Sequence, residues 1–278
     1  MCKGLVNRIL PFSSVDGPGN RSVIFMQGCN FNCLYCHNPE TINICNNCGK
    51  CIGICPNKAL KFRKNIVEYD SSLCTQCGLC LKACDRNSDP RANSMSVEDI
   101  LNKINKVKNF VSGVTVSGGE CTMNLKFLLE LGERVKEIGL SYFIDTNGSI
   151  SLKNHLKFVD VVDKFMLDVK SFDKKEHIKL TGQDNTNVLE NLKFLLEKDK
   201  LYEVRTVIVP EVLNNKNNVD NVSKIIAKYN TNVRYKLIKY RQLGVRQDKL
   251  ISYTPGQNLM EEYKEIVTKN GCKNVVII

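Results

Sequence analysis

The chain has 278 residues, 42% hydrophobic and 25% charged, with 40 Lys and Arg against 29 Asp and Glu, a formal net charge of +11. This composition excludes wholesale disorder, and no stretch approaches the roughly 18 apolar residues that suggest a membrane span. The opening MCKGLVNRILPF has no long apolar run and no small-residue cleavage site, so no export signal is read there and the expected location is the cytoplasm.

In chain order, a β-rich run at 21–27 (RSVIFMQ) leads into Gly28 and a first group of cysteines. Residues 40–91 change character and are rich in Cys, Gly, Asn and Pro. From Ser96 onward helical and strand patterns alternate. Helices are predicted near 97–110, 123–138, 151–158, 174–180, 187–198, 218–229 and 257–270. Strands are predicted near 113–117, 141–145, 164–168, 202–209, 232–238 and 273–277. Alternation at this pitch indicates βα units and a parallel sheet. The expected fold class is α/β: a partial (β/α)6 TIM-type barrel built from 1–39 and 92–278, with a small domain inserted at 40–91.

The 14 cysteines are the unusual number. In a reducing compartment, clustered cysteines point to metal rather than to disulfides. The insert contains Cys45-x2-Cys48-x2-Cys51-x3-Cys55-Pro56, then Cys74-x2-Cys77-x2-Cys80-x3-Cys84. This is the bacterial-ferredoxin spacing, present twice. In that arrangement the fourth cysteine of each run serves the neighbouring [4Fe–4S] cluster. The expected ligand sets are Cys45, Cys48, Cys51 and Cys84 for one cluster, and Cys74, Cys77, Cys80 and Cys55 for the other. Two zinc sites are the alternative, since paired CxxC also serves zinc.

A third group, Cys29-x3-Cys33-x2-Cys36, supplies only three thiols. A cubane held by three ligands keeps one iron open, as catalytic metal sites do. The competing possibility is a fourth ligand from Cys2, Cys121 or Cys272, which otherwise read as small buried packing residues. Eleven thiolates on three cubanes bring the formal net charge down to about +6. The lysines are scattered and form no long basic run. No nucleic-acid or membrane partner is therefore expected.

CxxxCxxC with Tyr35 before its last cysteine resembles the radical S-adenosylmethionine (SAM) signature. Val15-Asp16-Gly17-Pro18-Gly19, Arg21, Gln27-Gly28-Cys29 and Tyr35-Cys36-His37-Asn38 are similar to the start of the glycyl radical enzyme activating enzymes. So are Ser117-Gly118-Gly119-Glu120, Asp145-Thr146-Asn147-Gly148, Met166-Leu167-Asp168-Val169-Lys170, and Arg205 followed by Val207–Pro210. The resemblance covers nearly the whole chain. Where most such activases carry histidine in a late Tyr-His-x-Leu-Gly segment, this chain reads Tyr240-Arg241-Gln242-Leu243-Gly244, which resembles the YjjW-like subgroup.

The resemblance implies three [4Fe–4S] clusters, one binding SAM and two auxiliary in a ferredoxin-like insert. It implies reductive cleavage of SAM to methionine and a 5′-deoxyadenosyl radical. That radical then takes a Cα hydrogen from a glycine of a partner glycyl radical enzyme. Cys29, Cys33 and Cys36 hold the open cluster, and Asp16 is the expected contact for the partner's glycine loop. SAM is expected against Tyr35, His37, Gly118, Gly119, Glu120, Asp168, Val169, Lys170 and Arg241. Asp145 is expected to support Asp168 or a monovalent cation. Plainer roles compete at several positions: loop capping for His37, a strand-to-helix turn for Gly118–Gly119, a surface ion pair for Asp168 and Lys170, and a surface charge for Arg241. Gly118 and Gly119 are read as letting the backbone approach the ligand. A ferredoxin or flavodoxin donor and an anaerobic setting follow. The insert serves either as electron relay or as docking surface. A radical SAM enzyme with another substrate, or a non-catalytic iron–sulfur carrier, are the competing functions.

Independently of the resemblance, the first cysteine loop, Ser117–Glu120, Asp145, Asp168 with Lys170, and Arg241 all close or follow predicted strands. In βα folds ligands collect at the carboxyl ends of strands, so these residues are expected to converge on one mouth.

Overall fold

The computed structural model describes residues 2–246 and 248–278. The chain opens with strand β1 (Lys3–Ser13) and β2 (Arg21–Met26). The cysteine-rich segment holds a hairpin, β3 (Leu60–Arg63) and β4 (Ile66–Tyr69), and one short helical turn, α1 (Leu79–Lys82). Then come β5 (Asn93–Ser96), α2 (Val97–Asn105), β6 (Gly113–Gly118), α3 (Leu125–Glu137), β7 (Ser141–Thr146) and α4 (Leu156–Val161). The chain continues with β8 (Lys164–Asp168), α5 (Lys174–Thr181), α6 (Thr186–Glu197), β9 (Leu201–Ile208), α7 (Asn215–Tyr229), β10 (Arg234–Lys239), α8 (Gln257–Lys269) and β11 (Val275–Ile277).

The main sheet has nine strands in the order β11-β10-β9-β8-β7-β6-β2-β1-β5. From β2 through β6 to β11 every pairing is parallel, while β1 and β5 add an antiparallel edge. The two edge strands do not pair, so the sheet curls as a partial barrel.

Strand alternation sorts the two faces. Val114 and Val116, Tyr142 and Ile144, Phe165 and Leu167, Val204 and Ile208, and Tyr235 and Leu237 join the main core. They pack there with Leu128 and Leu131 of α3, Leu192 and Leu195 of α6, and Val219 and Val222 of α7. Each such side chain contributes roughly 1.5–3 kcal/mol through burial. The alternate positions, among them Thr115, Ser117, Asp145, Asp168, Glu203, Arg205 and Lys236, lie off this core and make the concave face polar and charged. Helix starts follow the sequence locally. Ser96 and Asp99 form a reciprocal capping box at α2, and Asp173 caps α5 by accepting from Glu176 N at 2.8 Å.

Three expectations need correction. Strands β1 and β5 are additions to the expected set: β1 lies between β2 and the edge strand β5, contains Pro11 and has two register shifts against β2, so its apolar alternation is broken. The helix expected at 151–158 is a 3-10 turn over Leu152–Asn154 followed by α4 at Leu156–Val161. Asn191 causes this. Its side chain accepts from Leu152 N (2.9 Å) and donates to Gly148 O (2.8 Å) and Ile150 O (2.7 Å), pinning that segment to α6. The seven helices and the strands of the parallel run otherwise fall within a few residues of expectation.

Residues 40–91 leave the sheet after β2 and return at β5. Asn43 bridges Ser88 in parallel, and Asn43 Nδ2 donates to Arg86 O at 2.6 Å, so the two connecting strands are tied together. No helix among the described residues is long and apolar enough to cross a membrane.

Candidate active site

A cavity of about 300 Å³ opens at the carboxyl ends of the parallel strands. The loop after β2 brings Cys29, Cys33 and Cys36 to its wall, with Tyr35 and His37 beside them. The loop after β6 adds Ser117 to Glu120. Asp145 and Asn147 come from the end of β7, Asp168 and Lys170 from β8, and Arg205 from β9. The expected convergence is therefore present for these residues, but not for Arg241, which is absent from the cavity wall.

Backbone hydrogen bonds set the cysteine loop. Gly28 N donates to Thr41 O (2.9 Å), Cys29 N to Ile42 O (2.8 Å), and Cys36 N to Cys33 O (3.1 Å). Phe31 N points at Cys29 Sγ at 3.4 Å, and Asn147 Nδ2 at 3.8 Å. Burial pushes the Cys29 thiol up to about 12, with Glu120 adding to it, and the Cys33 thiol up to about 11. Such thiols ionise when a cationic centre takes them as ligands. None of the described cysteines is in a disulfide.

Cys2, Cys121 and Cys272 do not line the cavity. The Cys121 thiol contacts Val116 O and Asp145 O, and the Cys272 thiol contacts Ser223 O, each pointing into packed surroundings. The wall thus presents three thiols and no fourth. Tyr35 is buried and its hydroxyl has no hydrogen-bond partner, an orphaned polar atom on the same wall.

Charges of both signs face the cavity. Lys170 Nζ lies 2.6 Å from Asp168 Oδ2 and 5.8 Å from the Tyr35 ring centre. Burial alone raises a carboxyl, but Lys170 and Arg205 outweigh it and hold Asp168 below the usual carboxylate range. Burial works against the Lys170 ammonium, and Asp168, Tyr35 and Cys33 more than offset it. Asp145 Oδ2 accepts from Arg205 Nη1 (2.8 Å) and Ser117 Oγ (2.9 Å), so the positive charge beside Asp145 is that of Arg205. Burial nevertheless leaves the Asp145 carboxyl above its ordinary value.

Arg205 is held in turn by Glu203, whose Oε1 accepts from Arg205 Nε (2.6 Å) and Lys236 Nζ (2.8 Å). Glu203 and Lys236 lie in no recognisable motif, and Arg205 stands in one only as the arginine ahead of Val207–Pro210. Glu203 and Arg205 two apart on a predicted strand were the available hint.

Several expected residues take other roles here. Glu120 is 3% exposed and is already satisfied: it accepts from Thr122 N and Oγ1, Thr146 Oγ1 and Asn147 N. It ties the β6 loop to the β7 loop and sets Asn147 against Cys29. Gly118 and Gly119 line the cavity, yet the space their Cβ atoms need is filled by protein. A Cβ on Gly118 would lie 2.1 Å from Met26 N, and one on Gly119 2.1 Å from Gly28 O. These glycines let β6 press on the base of the cysteine loop, a second requirement for glycine beside their place on the cavity wall. Val169 is buried in the main core and contributes only backbone, its N donating to Arg205 O at 2.9 Å. Arg241 is exposed and its side chain does not line the cavity; its carbonyl accepts from His37 Nε2 at 3.1 Å. Arg246 does reach the cysteine loop, with Nη2 2.7 Å from Cys33 O. Asp16 lies half-buried in the loop between β1 and β2, away from the cavity wall, and its carbonyl accepts from Thr115 Oγ1 at 2.7 Å.

In the cysteine-rich segment two further cavities appear. One is lined by Cys45, Cys48, Cys51 and Cys84, the other by Cys55, Cys74, Cys77 and Cys80. Among the described residues, no three His, Cys, Asp or Glu side chains converge tightly enough to hold a single metal ion.

The family model of the radical SAM superfamily matches residues 23–216. The chain is 30% identical over 279 residues to the trans-4-hydroxy-L-proline dehydratase activating enzyme of Clostridioides difficile, covering 94% of this chain and 92% of that one. It belongs to the glycyl radical enzyme activating branch of the radical SAM superfamily. The pyruvate formate-lyase-activating enzyme of Staphylococcus aureus is 28% identical, over 90% of this activase and 86% of its own length. Among solved structures, a domain of a pyruvate-formate lyase-activating enzyme from Bacteroides vulgatus superposes with a TM-score of 0.51 at 21% identity, covering 60% of this chain and 99% of that one. QueE from Escherichia coli superposes with a TM-score of 0.56 at 14% identity, covering 99% and 94%. These similarities establish the fold. The family activity is the reductive cleavage of SAM to methionine and a 5′-deoxyadenosyl radical, which takes a Cα hydrogen from a glycine of a glycyl radical enzyme.

Proposed function

We propose that Cys29, Cys33 and Cys36 hold the [4Fe–4S] group of this activase and that SAM occupies the adjoining cavity. The observation that carries this reading is one cavity with three thiols and two ion pairs contributed by β7, β8 and β9. When bound, the group supplies the electron that opens the S–C5′ bond. The chain's own residues do the rest. Lys170 and Arg205 offer cations to a carboxylate, and Asp168 offers an acceptor to an ammonium or a ribose hydroxyl. Glu120 and Asn147 hold the cysteine loop. Tyr35 and His37, packed beneath the 240–246 segment, form an aromatic wall for adenine that limits water entry. His37 is kept neutral by burial. Asp16, against the inner face of β6, is the contact for the partner's glycine loop.

The segment 40–91 is a separate ferredoxin-like unit on the barrel formed by 1–39 and 92–278, and it holds two more [4Fe–4S] clusters. Support comes from the crossed sets of four thiols around two cavities, which match the spacing. A ferredoxin or flavodoxin supplies electrons, in an anaerobic cytoplasm. The partner is a glycyl radical enzyme.

Anaerobic reconstitution tests this reading. About twelve irons per chain are expected, with 5′-deoxyadenosine formed on reduction and SAM addition. A cognate glycyl radical enzyme should then show a backbone radical by electron paramagnetic resonance. Cys55→Ala and Cys84→Ala should each cost about four irons while leaving cleavage driven by a chemical reductant. About four irons in the wild type would refute the two-cluster insert.

A further inference from the structure

The two cavities of the insert differ in the charge that faces them. The cavity of Cys45, Cys48, Cys51 and Cys84 is bordered by Lys50 and Arg86. Lys50 is 60% exposed and paired with an equally exposed Asp85, and Arg86 is exposed, so water and salt screen both. The cavity of Cys55, Cys74, Cys77 and Cys80 has one charged side chain on its wall among the described residues, Arg91. Arg91 is only 20% exposed.

Asp89 grips this guanidinium in a fork, with Nε to Oδ1 at 2.8 Å and Nη2 to Oδ2 at 2.7 Å. Asp89 is itself 2% exposed and lies behind Arg91, off the cavity wall. Its Oδ2 also accepts from Asn7 Nδ2 at 3.2 Å, and Asn7 bonds Gln27 at 2.8 Å. The ion pair is therefore an oriented dipole, cation toward the thiols and anion away, anchored to β1 and to the base of the first cysteine loop.

We propose that Arg91, locked by Asp89, is a positioning residue that raises the reduction potential of the cluster held by Cys55, Cys74, Cys77 and Cys80 above that of its sister. Cluster potentials respond to nearby charge, to hydrogen bonds at sulfur and to solvent exposure. A buried cation favours the more negative, reduced cluster, and the exposed cations of the sister site do so less. This inference rests on the reading that the insert holds two clusters.

The test is a redox titration of the reconstituted holoenzyme followed by electron paramagnetic resonance. The relevant signal is identified as the one lost in Cys77→Ala. Arg91→Gln should shift its midpoint to lower potential and leave the sister cluster in place. Asp89→Asn, which removes the anion behind, should shift the same midpoint upward, and Arg91→Lys should restore most of the loss. If Arg91→Gln sheds iron, the upward shift in Asp89→Asn decides alone. A full iron complement with no shift, equal shifts in both clusters, or same-direction shifts in the two variants overturns the inference while leaving the two-cluster reading intact. A wild type with about four irons overturns that reading instead.

Discussion

The barrel mouth and the insert use the same side chain for opposite ends. At the mouth three thiols border a cavity of about 300 Å³ whose other walls carry Asp168, Lys170, Asp145 and Arg205. In the insert each set of four thiols borders a cavity of only about 20 Å³, with no carboxylate on its wall among the described residues. A complete thiol set in a small cavity closes a group off, whereas an incomplete set beside a large charged one leaves room for a second ligand. The difference lies in what the fold places around the cysteines. Five neighbouring parallel strands build the mouth, while one hairpin and a short turn build the insert.

The sharpest break of this comparison exchanges a thiol at each place. Cys33→Ala should cut 5′-deoxyadenosine formation by roughly 10³-fold or more, beyond the 10–100-fold typical of outer-shell partners. Cys77→Ala should lower the iron content while chemically reduced enzyme still cleaves SAM. Equal loss in both would erase the distinction. Next in size is Lys170→Ala, which leaves the half-buried Asp168 facing the cavity without its ion-pair partner. SAM binding measured by equilibrium dialysis should weaken by roughly 10²-fold, and unchanged affinity would remove Lys170 from the site.

A smaller effect separates the two regions by packing. Gly119→Ala drives a Cβ to 2.1 Å from Gly28 O, whereas Gly53 in the insert has nothing within 4 Å. Chemical denaturation should show a loss of about 1–3 kcal/mol for Gly119→Ala, and a change within about 0.5 kcal/mol for Gly53→Ala.

The smallest effect is in pH. His177, on α5 against Phe31 of the cysteine loop, is held below its ordinary value by burial. The unfolded chain then binds the extra proton, so stability is full above about 6.5 and falls as the pH drops through it. Thermal melting between pH 8 and pH 5 should show this slope, flattened in His177→Gln. Identical slopes would contradict it.

What the sequence made legible depended on the range of the interaction. The crossed thiol sets follow from local 2-2-3 spacing and coincide with the two cavities. The βα alternation likewise carried Asp168 and Lys170 to the mouth. Glu203 and Arg205 share one strand, but Lys236 and Asp168 reach them only through strand register, Arg205 lying opposite both, which no single strand reveals. Gly118 and Gly119 line the cavity, but their close approach to the backbone of Met26 and Gly28 joins β6 to a distant part of the chain and has no local signal. Val169 belonged to a matching motif, yet strand alternation turns it away from its neighbours. Arg241 matched a family position, but its side chain points to solvent and Arg246 reaches the cysteine loop instead.

Mössbauer spectroscopy of the ⁵⁷Fe-loaded enzyme, with and without SAM, measures the open corner directly. The account predicts that one iron of about twelve changes its environment when SAM is added, and that the change disappears in Cys33→Ala. A spectrum in which every iron keeps its environment, with SAM shown to be bound, would contradict it.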